Sequence, residues 1–323
     1  MPFVEIGRFT KYGYLGVELF FIISGYVVLL SAQGKTVRQF FISRITRLYP
    51  AFWVACTLTF AVKSIWGTRP NDTLMSPYLI AGISQYVGNM TMLHEFIGIT
   101  GIDGPYWSLS VEITFYFLIA ILIGFKFMRH IDWFLLCWLG FAAIPHLAHS
   151  GTPLAILFFP GYAPFFAAGI LFYLLQQPLG RTRLRYALLF VAYGLAVKSA
   201  TSQAPVLSAS YNVHYSQIII AGSITFFFIL FALISFRKID LSRFTWLAWL
   251  GALTYPLYLV HSEIAFIAFC RIGHLFNKYV LLGTTILVML IAAYLIHVLV
   301  EKRYSKTLGT QANKLLTWLD QKV

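Results

Sequence analysis

The sequence predicts an all-α fold: a polytopic transmembrane helical bundle of about nine spans plus one re-entrant or interfacial element. Three observations predict it. The 323-residue chain is 59% hydrophobic and 18% aromatic. Only 11% of it is charged, against about 25% in soluble domains. Its apolar residues fall in segments of about 20, the length that crosses the hydrocarbon core of a bilayer.

The predicted spans are 14–32, 48–66, 106–125, 132–149, 154–177, 184–201, 215–236, 246–269 and 279–300. Segment 76–97 is also apolar, but Gly82, Gln85, Gly88 and Asn89 interrupt it. It is the expected re-entrant or interfacial element, placed on the outer face. No linker or shift of composition divides the chain, so 1–323 is taken as one integral membrane domain. Cys56, Cys137 and Cys270 are far apart in apolar stretches, which suits small core residues better than a disulfide scaffold or a metal cluster. Met1 to Thr10 has no apolar run of the kind that a cleaved signal peptide carries.

Charge sets the orientation. With the loop after the first span inside, that side receives 17 of the 24 Lys and Arg residues and the other side 7. The inner set includes Lys35, Arg38, Arg44, Arg47, Arg181 and Lys302; the outer set includes Arg8, Lys11, Lys63 and Lys198. The positive-inside rule therefore puts the C-terminus in the cytoplasm. It also makes the net charge of +13 a topology signal rather than a sign of nucleic-acid binding. The tail Lys302 to Val323 is expected to lie amphipathic on the inner surface, against membrane lipids. An odd number of spans leaves Met1 outside, with Arg8 and Lys11 on the wrong side. A preceding helix resolves this most simply; a true nine-span protein or a partner subunit are the alternatives.

Four constellations carry chemistry. The first span places Tyr14, Glu18, Phe21 and Ser24 or Gly25 on one helix face. An ionisable group in hydrocarbon costs about 2.5–3.5 kcal/mol on insertion scales, so Glu18 is a functional candidate. A buried salt bridge or hydrogen bond is its bland account. Helix packing is the bland account of Ser24 and Gly25, and close approach of a thin ligand the sharper one. Arg44 and Arg47 come next, one turn apart at an inner helix start, with Lys35 and Arg38 nearby. Guanidiniums match phosphate oxygens bidentately, so an anionic cytosolic ligand such as coenzyme A suits them; lipid headgroups are the competing account.

The third constellation opens a span with Trp107, Ser108 and Glu112, the last two on one face and Glu112 at a depth similar to Glu18. Two carboxylates at one depth point to a shared polar cavity, or to structural hydrogen bonding alone. The fourth is Tyr255, Pro256, Tyr258, His261, Ser262 and Glu263, where Pro256 is expected to kink the helix. His261 is either a satisfied core residue or a catalyst. His146 and His149 have the spacing of metal ligands but lack a third ligand nearby, so no metal is expected. His94, Glu95 and Asp103 are placed in the outer loop, within reach of an acceptor.

These pieces resemble the acyltransferase-3 family of membrane sugar O-acyltransferases. Phe20-Phe21-Ile22-Ile23-Ser24-Gly25 resembles its F-F-x-x-S-G motif, and Arg44-Ile45-Thr46-Arg47 its R-x-x-R motif. Tyr106 to Glu112 resembles its W-S-L-S-V-E segment, and Thr254 to His261 its late S-Y-x-x-Y-L-x-H segment. The family begins with one span more than the nine counted here, and that span bears an arginine–histidine pair thought to assist acyl transfer.

The resemblance implies transfer of an acyl group, acetyl on family grounds, from cytosolic acyl-CoA to a hydroxyl of a sugar or polysaccharide outside the membrane. It implies a bacterial inner-membrane location. Arg44, Arg47, Arg38 and Lys35 would hold the acetyl-CoA phosphates, and Phe20, Phe21, Ser24 and Gly25 would line the path of its arm. Trp107, Ser108 and Tyr258 would meet the acceptor, with Glu18, Glu112 and His261 catalytic. The rival expectations are a transporter or flippase using Glu18, Glu112 and His261 as a proton relay, or an inactive family member.

Overall fold

The computed structural model describes residues 4–68, 79–144, 152–241 and 243–320. Every regular element among them is helical. Six helices are long and apolar enough to cross a membrane, or seven if one bent pair is counted as a single span. The expected count of nine goes beyond this. Predicted span 132–149 appears as a 12-residue helix, Ile131–Ala142, and 145–151 lie outside the described residues. Predicted span 184–201 is a full helix, Arg183–Ser202, but Arg183, Arg185 and Lys198 make it less apolar than those six.

Two compact units emerge, Met1–Val37 with Glu112–Arg243, and Arg38–Val111 with Phe244–Val323. The first holds α1 (Val4–Thr10), α2 (Gly16–Ala32), most of α5 (Trp107–Gly124), α6 (Ile131–Ala142), α7 (Pro153–Phe158) and α8 (Ala163–Gln176). It also holds α9 (Arg183–Ser202), α10 (Ala204–Tyr211) and α11 (Gln217–Ser235). Its centre is α8, nearly all of whose residues are buried. Two glycines let α2 lie directly on α8. A Cβ on Gly25 would sit 2.2 Å from the Phe166 carbonyl oxygen, and one on Gly169 would sit 2.1 Å from that of Ile22. The Phe21 ring stacks on Phe166 beside this contact, with centroids 4.7 Å apart. Arg185 joins α9 to α6 through both Asp132 oxygens, at 2.7 and 3.1 Å.

The second unit is built on α3 (Val37–Trp66), with α4 (Ile83–Met90), the start of α5, and the bent pair α12 (Thr245–Val260) and α13 (Glu263–Ile272). The chain then runs from α14 (Lys278–Leu295) through a π-helical turn, Ile296–Glu301, into α15 (Lys302–Asp320). The sequence predicts a span starting at 48, but α3 begins at Val37, because nothing between the two breaks a helix. Arg44 and Arg47 thus lie within α3 rather than at its start. Pro50 sits inside α3, where its missing N–H leaves the Thr46 carbonyl without its usual donor. Arg271 covers the far end, donating to the carbonyls of Trp66 and Gly67 at 2.8 and 2.6 Å.

The tail forms α15, which continues the helix of α14 and lies along the first part of α3. Arg38 donates to the Asn313 carbonyl at 2.6 Å and to the Thr317 hydroxyl, and a Cβ on Gly309 would meet the Thr46 methyl at 3.0 Å. The bend in the α12–α13 span, 59°, falls at His261 and Ser262 rather than at Pro256. Cys56 is buried, but Cys137 and Cys270 are exposed on apolar helices.

Segment 76–97 fits the re-entrant expectation over its described part. α4 runs antiparallel beside α3: the Tyr86 ring stacks on Phe60 at 4.5 Å, Trp53 Nε1 donates to the Met90 carbonyl at 2.9 Å, and Tyr49 donates to that of Thr91 at 2.8 Å. From Phe60 to Tyr49 is roughly 16 Å along the axis at 1.5 Å per residue. The chain then returns, so that the Ile102 carbonyl accepts from Lys63 Nζ at 2.8 Å. Asn89 closes the hairpin, donating to the Thr100 carbonyl at 2.9 Å and accepting from Ile102 N–H at 3.0 Å. His94 is therefore buried inside this hairpin rather than displayed in an outer loop.

Candidate active site

Within the first unit the polar centre is Glu112, which is buried and accepts from Ser24 Oγ at 3.1 Å and from Tyr116. Ser24 of the F-F-x-x-S-G motif thus does face a catalytic candidate. Gly25 does something else: the backbone it admits is that of α8. Phe21 is likewise committed to Phe166, and Phe20 packs on Phe21. Glu18 is buried one turn from Tyr14, and its Oε2 has no hydrogen-bond partner among the described residues. The two carboxylates do not share a depth: Glu112 is level with Ser24, roughly 9 Å along α2 from Glu18. The open groove of this unit, about 480 Å³, lies between Tyr12–Gly16 and Ile219–Phe227, and none of the candidates from the sequence lines it.

The second unit gathers most of the rest. Tyr255 donates to the Leu48 carbonyl at 3.0 Å, which fastens α12 to α3 one residue beyond Arg47. Arg44 is buried with its guanidinium 5.6 Å from the Phe40 ring centre, and Arg47 is exposed. One face of α12 continues upward from Tyr255. The Tyr258 hydroxyl lies 2.6 Å from Ser108 Oγ and donates to the Pro105 carbonyl at 3.0 Å. Trp107 is half-buried at the start of α5. His261 stands exposed at the bend, with Nδ1 2.9 Å from the Tyr258 carbonyl oxygen. A carbonyl can only accept, so Nδ1 carries the proton and Nε2 is left as the basic nitrogen.

Two of the expected residues are placed differently. Arg38 is tied to α15, as described. Lys35 follows the Gly34 turn at the end of α2. His146 and His149 lie outside the described residues.

The sequence reading missed His297 and Glu301. Within the π-helical turn, His297 Nδ1 lies 2.6 Å from Glu301 Oε2, and Glu301 also interacts electrostatically with Arg47. A histidine four residues before a glutamate in an apolar helix was the available signal. π-turns recur at functional sites.

The family model described as "Acyltransferase domain" matches residues 7–301. The chain is 26% identical over 172 residues to the peptidoglycan O-acetyltransferase OatA of Listeria monocytogenes, covering 48% of this chain and 26% of that protein. It is 29% identical over 119 residues to the acyltransferase MdmB of Streptomyces mycarofaciens, 33% of this chain and 27% of that one. It is 27% identical over 126 residues to the exopolysaccharide production protein ExoZ of Rhizobium meliloti, 38% of each. The matches thus span well under half the length of these relatives. No solved structure matches. With the family model matching from residue 7 to residue 301, on helices apolar enough to make this an integral membrane protein, the chain belongs to the acyltransferase family that this domain defines.

Proposed function

We propose that the chain transfers an acyl group, acetyl by analogy with the first relative, from cytosolic acyl-CoA to a hydroxyl of a sugar or polysaccharide on the outer side of a bacterial inner membrane. The observation that carries the reading is the pairing of α3 and α12. Arg44 and Arg47 lie on α3 just before the point where Tyr255 of α12 joins the Leu48 carbonyl, and the Ser108–Tyr258–His261 group lies further along α12. Tyr255 and His261 are separated by roughly 9 Å of helix rise.

Acyl-CoA carries too many charges to cross a membrane, whereas its pantetheine arm is thin and neutral. Arg44 and Arg47 hold the phosphates through charge-assisted hydrogen bonds. Arg38 serves α15 instead. His261 Nε2 takes the proton of the acceptor hydroxyl as its oxygen attacks the thioester carbonyl. The C–S bond breaks, the acyl group stays on the sugar oxygen, and the coenzyme A thiolate leaves and is protonated. A positioned base of this kind contributes about 10²–10⁴-fold. Trp107, Ser108 and Tyr258 seat the acceptor.

Proteoliposomes given labelled acetyl-CoA outside and a glycan acceptor inside test the reading. Acetylated glycan together with free coenzyme A in equal amount is the expected result. Passage of sugar without consumption of acetyl-CoA would replace the enzyme with a transporter.

A further inference from the structure

The bend between α12 and α13 is gripped by one short segment. Tyr106 donates to the Leu259 carbonyl at 3.2 Å, and Tyr258 bonds Pro105 and Ser108 as described. The fourth contact is the least expected. The Glu263 N–H donates to Asp103 Oδ1 at 3.4 Å. First-turn amides have no partner within their own helix, and α13 begins at Glu263, so Asp103 supplies the missing acceptor.

Asp103 is fully buried, on the returning arm of the hairpin. Its other oxygen accepts from Thr59 at 3.4 Å. Lys63 and Thr59 on α3 and Glu263 on α13 face it, with Tyr106 and Cys56 near enough to sense its charge. Burial pushes the carboxyl up to about 7 and the Glu263 carboxylate adds to the rise; the Glu263 N–H, Lys63 and Thr59 oppose it. A carboxyl kept in so costly a place has a fixed task. Between the two gripped points, Tyr258 and Glu263, lies His261.

We propose that Asp103 is a positioning residue: by holding the first amide of α13 it fixes the bend, and the bend fixes the direction of His261 Nε2. This rests on the reading of His261 as the base. Acceptor geometry rather than negative charge is what the task needs, because a neutral carbonyl oxygen accepts the same N–H.

The test uses the full chain and two variants, Asp103→Ala and Asp103→Asn. Asp103→Ala is expected to lower kcat about tenfold or more, as small misplacements of catalytic groups do, with the acetyl-CoA KM within about twofold. Asp103→Asn restores most of kcat. Amide exchange is expected to quicken at Ser262 to Phe266 in Asp103→Ala alone. Should Asp103→Ala fail to fold, exchange in the unaltered protein still decides, with Glu263 expected slower than Ile264 and Ala265. Wild-type kcat in Asp103→Ala, an Asn variant as defective as the Ala one, quickened exchange throughout the unit, or no difference among those three amides would each overturn the proposal. A His261→Ala variant with wild-type kcat would end the reading of His261 as base while leaving the exchange result standing.

Discussion

Ser24 and Glu112 are 88 residues apart in sequence and joined by a 3.1 Å hydrogen bond inside the first unit. Glu112 accepts from Tyr116 as well, so each donor relieves part of the cost of a buried carboxylate. Ser24→Ala is expected to lower stability by about 1–3 kcal/mol, the range for taking one partner from a buried polar group. Detergent-solubilised protein melted with and without the substitution checks this; an unchanged midpoint would mean the bond contributes little.

Gly25 and Gly169 predict a sharper loss. Either alanine substitution drives a methyl into carbonyl backbone that cannot turn aside. About 1–3 kcal/mol is the usual cost of overpacking, and here the obstacle is main chain, so the upper end is expected. Gly194→Ala, with nothing within 4 Å of the added methyl, is the control and should be neutral or slightly stabilising. Thermal midpoints of the three variants decide the matter.

Asp103 links stability to pH. Its folded-state pKa, about 7, lies above its ordinary value near ~3.9. The folded chain therefore favours the protonated form. The stability this contributes is complete below the unfolded value and is lost as pH rises towards and through 7. Melting midpoints should fall as the pH rises from about 4 to about 7, the window between these two values, and Asp103→Asn should remove that part of the slope. A slope identical in the variant would show that other groups set it.

Arg38→Ala should release α15 without unfolding the second unit, because Asn313 and Thr317 lose their partner on α3. Faster proteolysis or amide exchange confined to Lys302–Asp320 is expected, and unchanged protection there would show that packing alone holds the helix.

Much of this was legible in the residues. The apolar segments announced a helical membrane bundle, and four motifs in chain order announced the family. Gly25 announced a close approach, but a glycine says nothing about what approaches; the partner, α8, lies more than 130 residues away. The bend at His261 was hidden for a similar reason. Pro256 was the local signal, yet the break forms where Asp103 offers an acceptor from a distant hairpin. Arg38 looked like its neighbours Arg44 and Arg47, because a basic side chain does not reveal whether a helix end or a phosphate will meet it. His297 and Glu301 sit in a run whose other residues are apolar, and the π-turn that brings them together leaves no mark in the residue pattern.

The central claim is that Arg44 and Arg47 on α3 bind the donor and the Ser108–Tyr258–His261 group, further along α12, binds the acceptor. Steady-state kinetics of Arg47→Ala, with acetyl-CoA and the glycan acceptor varied in turn, test it most directly. The account predicts an acetyl-CoA KM raised about tenfold or more, as expected when a bond of roughly 1.5–3 kcal/mol to a charged group is lost, with the acceptor KM unchanged. Equal rises for both substrates, or none for acetyl-CoA, would contradict it.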